Sequence, residues 1–485
     1  MRVCFLEPPL SARRTGIFPR SPPNYALYAA AVLREQGDEP LLLDAFLEEL
    51  SMDQTVDRVL AARPDVVILV PFDYVRETDP AVTVELAHRI GAKLPGVLLG
   101  LAGSVDEAFL RKLMGQAAEF SFAACGEYER SIAQCARQRF LDLDKVPGLL
   151  VRVQGDDIVN TGPAEAIEDL DTLPLPAWDL VDFERYTVVP HRFKRTPMYP
   201  LLASRGCPYA CTSCGEARYT KITRFRIRSV ADVMHEIRGA VQRYGAREIQ
   251  FADATFGLRR AWVEQLCDAL EASGLNLSWS CLTRADVVTP DLLARMARAG
   301  CWNILIGAES ANQVALDAVD KRIRPDQVRE AVKWARAAGI EVTASFILGL
   351  PGEDRAAVLR TIDFACDLDP DYAQFFILKY WSEDGALDAW GRIEPEWDIV
   401  QEDFRGPVFV AHAFRDRSEL KVLQQLAYRR FYLRPHYIAK RLPDLLAPGQ
   451  LSRTLRGLFT LAKASTPLGS SWVAVRAKAW KEWRA

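Results

Sequence analysis

Three cysteines, Cys207, Cys211 and Cys214, share the stretch SRGCPYACTSCGEARY (Ser204 to Tyr219) at CxxxCxxC spacing. Thiolates this close in sequence can converge on one point, and cysteine thiolate is the ligand that iron–sulfur clusters and soft metals select. Three of them on one loop can hold three irons of a four-iron four-sulfur cluster and leave the fourth iron open to a substrate or cofactor. A Cys₃His zinc site with His235 is the alternative. However, structural zinc knots pair C-x₂₋₄-C with a second pair downstream, and His235 falls inside a helical stretch. Ten cysteines in 485 residues are too sparse for a disulfide scaffold, so the clustered three point to metal binding or catalysis in a reducing compartment. Cys4, Cys125, Cys135, Cys267 and Cys366 read as core residues. Cys281 and Cys301 read as buried inert thiols, with a place near a reaction chamber as the alternative.

From Leu201, strand patterns alternate with helical ones. The strands are PLLAS, Glu248 to Asp253, Leu277 to Arg284, Trp302 to Glu309, Glu341 to Gly349 and Tyr372 to Tyr380. Helical stretches lie between them, such as Val230 to Tyr244 and Asp354 to Leu368. Six β/α units of similar length predict a partial (β/α)6 barrel over residues 201–385, with its chemistry at the carboxyl ends of the strands. Cys207 directly follows the first of these strands.

Residues 1–140 form a second α/β unit. Continuous apolar strands (VCFLEP, PLLLDA, DVVILV, Gly96 to Leu101 and FSFAAC) alternate with helices such as Tyr25 to Gln36. Such strands predict a doubly wound parallel sheet covered on both faces, with its ligand crevice at the carboxyl ends of the strands. Residues 141–200, rich in proline, read as a linker. Residues 386–485 read as a mostly helical C-terminal domain. From Tyr428 it carries twelve Lys or Arg against Asp444 and Glu482; this is a solvated cap, with contact to a membrane surface the lesser reading.

Composition narrows the function. With 49% apolar and 26% charged residues, the chain is globular, and a net charge of −3 gives no reason to expect a nucleic-acid partner. The N-terminus lacks the charged and apolar regions of a signal peptide, and no run of about 18 apolar residues could span a membrane. The expectation is a cytoplasmic protein.

CxxxCxxC after the first strand of a partial barrel resembles the radical S-adenosylmethionine superfamily. There the methionine amino and carboxylate groups chelate the open iron, which implies an enzyme with a 4Fe-4S cluster held by Cys207, Cys211 and Cys214. The resemblance extends along the barrel. FADATF places Asp253 to accept from the methionine ammonium, and TRAD places Arg284 to meet the methionine carboxylate. GAES turns Glu309 toward the ribose. FILGLPGED brings Gly349 and its neighbours against the adenine. One departure is Ser213, where the superfamily has an aromatic residue; Tyr209 or Phe225 would substitute.

EPPL, LLLDAF, PDVVIL, CGEYE and LPLPAWDL, in this order, resemble the branch of that superfamily with an N-terminal cobalamin-binding domain, and FYLRPHYIAKRL (Phe431 to Leu442) is similar to its C-terminal segment. The resemblance implies cobalamin over the strand ends, near Asp73, Tyr74, Arg76, Gly100, Gly103, Ser104, Gly126 and Glu127. No DxHxxG motif is present, so no histidine would ligate cobalt from below, and GLAGS stands where a GG-containing loop is usual. The implied function is cobalamin-dependent methylation of an unactivated carbon of a small molecule, such as a natural-product intermediate, with an external one-electron donor of the flavodoxin or ferredoxin type. The alternatives are a non-methylating radical reaction (deoxygenation, cyclisation or rearrangement) and a non-catalytic iron–sulfur protein. Trp302, Tyr380, Trp381 and Glu383 are the expected substrate contacts at the barrel mouth, beside the strand-end neighbours already named.

Overall fold

A computed structural model describes residues 1–9, 22–73, 76–77, 80–103, 105, 107–153, 157–186, 193–212, 214, 224–379, 385, 387–394 and 408–446. Tyr74, Ser104, Ser213, Tyr380, Trp381, Glu383 and the basic segment beyond 446 lie outside them.

The first sheet contains β1 (Arg2–Glu7), β2 (Glu39–Asp44), β3 (Val66–Asp73), β4 (Arg76–Glu77), β5 (Leu98–Gly103), β6 (Phe120–Cys125), β7 (Leu149–Arg152) and β8 (Ile158–Asn160). Its order is β2-β1-β3-β5-β6-β7-β8, with β4 folded back on β3. Strand periodicity divides the apolar runs between two cores. Val3, Phe5, Val66 and Ile68 pack with helices α1 (Asn24–Glu35) and α5 (Glu129–Arg137) on one face. Cys4, Leu6, Val67 and Leu69 face α2 (Met52–Ala62), α3 (Pro80–Lys93) and α4 (Glu107–Gln116) on the other. Burial on both faces explains the unbroken apolar strands. The sheet also extends past residue 140. β7 and β8, from the expected linker, add antiparallel strands to the edge of β6, because Leu149, Leu150 and Val151 bury there. The rest of the linker bolts the units together: Trp178 sits 4.7 Å from the Tyr199 ring, and the Ala177 amide donates to the Leu27 carbonyl at 3.1 Å.

The second sheet is parallel throughout, with order β16-β15-β14-β13-β12-β9. It uses β9 (Met198–Leu201), β12 (Glu248–Phe251), β13 (Ser278–Thr283), β14 (Cys301–Glu309), β15 (Glu341–Leu348) and β16 (Tyr372–Ile377); β12 to β15 are each followed by a helix. The stretch PLLAS is not one strand. It breaks after Leu201, and Ser204–Arg205 forms β10, antiparallel to β11 (Arg226–Ile227). At the far edge the helix Arg417–Tyr432 stands in for a further strand: Gln424 Nε2 and the Tyr432 hydroxyl each donate to β16 carbonyls at 2.7 Å. Such cover removes an unpaired sheet edge. The C-terminal region also contains an antiparallel pair, β17 (Gly391–Glu394) and β18 (Val408–Ala411), beside its helices.

Candidate active site at the carboxyl ends of the barrel strands

The cysteine loop leaves β10 and is seated on the turn that closes the short helix Gln313–Ala318, which follows the fourth barrel strand. Thr212 N donates to the Val319 carbonyl at 3.0 Å, and Cys211 Sγ lies 3.5 Å from the Asp320 carbonyl. Cys207 Sγ is 3.5 Å from Thr255 Oγ1, at the end of β12. Cys207 and Cys211 are buried and Cys214 is half-buried. Burial pushes the Cys211 thiol up, while the positive charges of Lys321 and Arg284 pull it down. Among the described residues, no three His, Cys, Asp or Glu side chains converge as ligands of a single metal ion; a four-iron cube takes each thiolate on a separate corner.

Two cations face the loop. The Arg284 guanidinium stacks 3.6 Å from the Tyr209 ring centroid and donates to both Asp286 carboxylate oxygens at 2.8 and 2.9 Å and to the Lys321 carbonyl at 2.9 Å. Tyr209, a candidate for adenine packing, is thus engaged under Arg284. Lys321 donates to Glu309 Oε1 at 2.6 Å. Glu309 itself is held in the left-handed region at φ +59°, where the register of β14 against β15 shifts. Such a bulge re-aims a side chain.

Several expected contacts have a different immediate task. Asp253 accepts from the Ala203 and Ser204 amides at 2.7 and 2.8 Å through one oxygen, so it fixes the approach to the cysteine loop. Its carboxyl is pushed up to about 7 by burial. Gly349 adopts φ +79°, which glycine accommodates, and an added Cβ there would meet the end of the Leu420 side chain at 2.6 Å. Trp302 is not at the mouth. It is the second residue of β14 and donates to Glu248 Oε1 at 2.9 Å at the amino end. Cys281 and Cys301 are buried in the hydrophobic core of the barrel wall, together with Cys267 on the helix Arg260–Ala272.

Sequence reasoning missed Lys321, which no motif marks, and Glu353, which stood inside a quoted string. Glu353 accepts from the Gly349 and Leu350 amides at 2.9 and 3.0 Å and from Ser310 Oγ at 2.6 Å, tying the ends of β14 and β15 together.

In the first sheet, Asp73 ends β3, Arg76 lies in β4, and Gly103 and Gly126 meet at the carboxyl edge, where the Gly126 amide donates to the Gly103 carbonyl at 3.0 Å. A cavity of about 510 Å³ opens there, lined by Val105, Cys125, Gly126, Glu127, Gly148 and Arg226 among others, a size suited to a cofactor or small ligand. Gly100 lies mid-strand, where an added Cβ would meet the Phe122 ring at 2.2 Å. Glu127 lines the cavity but is clasped by Arg226.

Residues 201–365 match the family model of the Radical SAM superfamily. The chain is 28% identical over 450 residues to an uncharacterized methyltransferase of Pyrococcus horikoshii, covering 91% of this chain and 94% of the relative. It is 27% identical over 449 residues to the anaerobic magnesium-protoporphyrin IX monomethyl ester cyclase of Rubrivivax gelatinosus, covering 90% and 78%. Among solved structures it is similar to the cobalamin-dependent S-adenosylmethionine radical enzyme OxsB with aqua-cobalamin and S-adenosylmethionine bound, with a TM-score of 0.72 and 15% identity over 99% of this chain and 75% of that one. It is also similar to the radical S-adenosylmethionine methyltransferase TsrM from Kitasatospora setae, with a TM-score of 0.62 and 18% identity over 78% and 73%. Residues 201–365 are thus a Radical SAM domain, and the protein is a radical SAM enzyme. A 4Fe-4S cluster and S-adenosylmethionine are accordingly its cofactors. The donor set fits: three cysteines on one loop, two of them buried, with Arg284 and Lys321 offsetting thiolate charge. Among the described residues, no helix is long and apolar enough to cross a membrane.

Proposed function

We propose that this enzyme is a cobalamin-dependent radical methyltransferase acting on an unactivated carbon of a small molecule. The observation that carries the reading is the meeting of two carboxyl ends. Glu127, beside the cavity of the first sheet, touches Arg205, two residues before Cys207 of the barrel. Ligands at the two ends would therefore be neighbours.

When bound, the cluster and S-adenosylmethionine supply a 5′-deoxyadenosyl radical for hydrogen abstraction, and methylcobalamin supplies the methyl group. Cys207, Cys211 and Cys214 would hold the cluster. Arg284 and Lys321 hold positive charge beside it, and Glu309, steadied by Lys321, would meet the ribose. Asp253 keeps the approach to Cys207 in place, and Glu353 does the same for the Gly349 loop. The barrel wall keeps water from the reacting carbon. An external flavodoxin- or ferredoxin-type protein would provide electrons in the cytoplasm, where thiols stay reduced.

The test is anaerobic reconstitution with iron, sulfide and hydroxocobalamin, then a UV–visible spectrum and pigment count after desalting. Methyl-labelled S-adenosylmethionine then reports transfer to candidate small molecules. Stoichiometric cobalamin with labelled product supports the reading. A cluster without cobalamin would overturn methyl transfer in favour of deoxygenation or rearrangement.

A further inference from the structure

The two ends of the cysteine loop are joined at its base. β10 leads into it, β11 leads out of it, and Arg205 and Arg226 are direct partners in that two-stranded ribbon. Both arginines are buried, which places two like charges side by side away from water. Such an arrangement is strongly unfavourable unless each charge is compensated.

The compensation comes from the other domain, through the CGEYE segment after β6. Arg226 donates to both Glu127 oxygens at 2.8 Å, a bidentate pair, and to the Ile167 carbonyl at 2.6 Å. Arg205 lies 2.7 Å from Glu129 Oε1 and 3.5 Å from Glu127 Oε1. Its guanidinium also lies over the rings of Tyr25 and Tyr28 on α1, at 4.9 and 4.7 Å. The side chains of all four charged residues are at most 7% exposed. Beyond Arg205, Gly206 turns the chain at φ +79° directly into Cys207. On the opposite side, Glu127 and Arg226 form part of the cavity wall.

We propose that Glu127, Glu129, Arg205 and Arg226 form a clasp that positions the cluster loop and couples it to occupancy of the cavity in the first domain. A ligand entering the cavity touches the same carboxylate and guanidinium that fix the loop base. Ligand and cluster then bias one ribbon, and by linkage each changes the affinity for the other by the same factor. Arg205 and Arg226 are positioning residues in this scheme. The identity of the cavity ligand as cobalamin rests on the function proposed above.

Dissociation constants for hydroxocobalamin, measured on iron-free and cluster-loaded protein, test the coupling. We expect the two constants to differ by about fivefold or more in the parent, the lower bound of ordinary allosteric coupling. Glu127→Gln and Glu129→Gln should bring the ratio close to unity. Glu39→Gln, in an exposed pair with Arg2 at the amino end of the first sheet, should keep the parental ratio. Hydrogen exchange of the amides in 203–211, measured on cluster-loaded protein, should accelerate in both clasp variants. Should those variants not fold, Arg226→Lys, which keeps the charge but loses the fork, replaces them with the same expectation. A parental ratio near unity, or a ratio that both clasp variants retain, overturns the coupling. If the parent binds no hydroxocobalamin, the cobalamin reading fails and exchange alone decides: faster exchange in the variants supports the clasp, and unchanged exchange overturns it.

Discussion

At the amino end of the barrel, Glu248 is buried and takes four hydrogen bonds from neighbouring elements. Its carboxylate accepts from the Lys194 and Arg195 amides at 2.7 and 2.6 Å, from Ser278 Oγ at 3.1 Å and from Trp302 Nε1 at 2.9 Å. At the carboxyl end the balance is different. Cys207, Cys211 and Cys214 gather beside Arg284 and Lys321, and Glu309 is held at a strained φ. One strand, β14, carries Trp302 at one end and Glu309 at the other. Polar groups at the amino end close the barrel, whereas those at the carboxyl end prepare a surface for something else, the division of labour usual in barrels.

The strongest way to break this comparison is to remove the thiols. We expect the triple variant Cys207→Ala, Cys211→Ala, Cys214→Ala to lose iron, sulfide and brown absorbance after anaerobic reconstitution, with radical activity falling below detection. Its far-UV circular dichroism should match the parent, because β10 and β11 still close the loop base. Retained iron and sulfide would show that the cluster lies elsewhere.

The carboxyl end was legible because its residues come as short strings at strand ends, and the cysteine spacing marks the first of them. The amino end was misread. Trp302 opens the strand Trp302 to Glu309, so in a parallel barrel the bounds of that strand already put it at the amino end, against the expectation of a mouth contact, and the register of β13 against β14 agrees. Asp253 and Glu127 show a second limit: their burial, and the backbone amides or arginines that hold them, come from residues about 50 and 99 positions away. The strands β7 and β8 were hidden for a local reason, since apolar runs of three and two residues beside prolines have too few periods to stand out.

The second test is at the other end. Glu248→Ala leaves four donors without their acceptor in a buried site, and each orphaned group costs about 1–3 kcal/mol. We expect a net loss of about 3–5 kcal/mol in denaturant unfolding, within the range for breaking a buried polar network. Cluster content and S-adenosylmethionine affinity of the folded fraction should stay at parental values. A variant of parental stability with weakened cofactor binding would move Glu248 into the site and erase the distinction between the ends.

The smallest effect separates two buried carboxylates. Glu353 is pushed up to about 7, with burial the largest cause and bonds from Ser310, Leu350 and Gly349 opposing it. An unfolded glutamate titrates at about 4.3. Between these values the native state holds the proton more tightly than the unfolded chain, so stability falls as pH rises and levels off above about 7. Over pH 6 to 8 this one group should lower stability by about 1 kcal/mol. Gln at this position mimics the protonated form: its oxygen can accept from the Gly349 and Leu350 amides, and its NH₂ can donate to Ser310 Oγ. We therefore expect Glu353→Gln to match the parent only near pH 4, where Glu353 is protonated in the native state and largely so in the unfolded chain, and to exceed it increasingly between about pH 4 and 7, with a shallower slope in denaturant midpoints across that range. Parallel slopes for parent and variant would mean that Glu353 keeps one protonation state throughout, and that the link between β14 and β15 does not respond to pH.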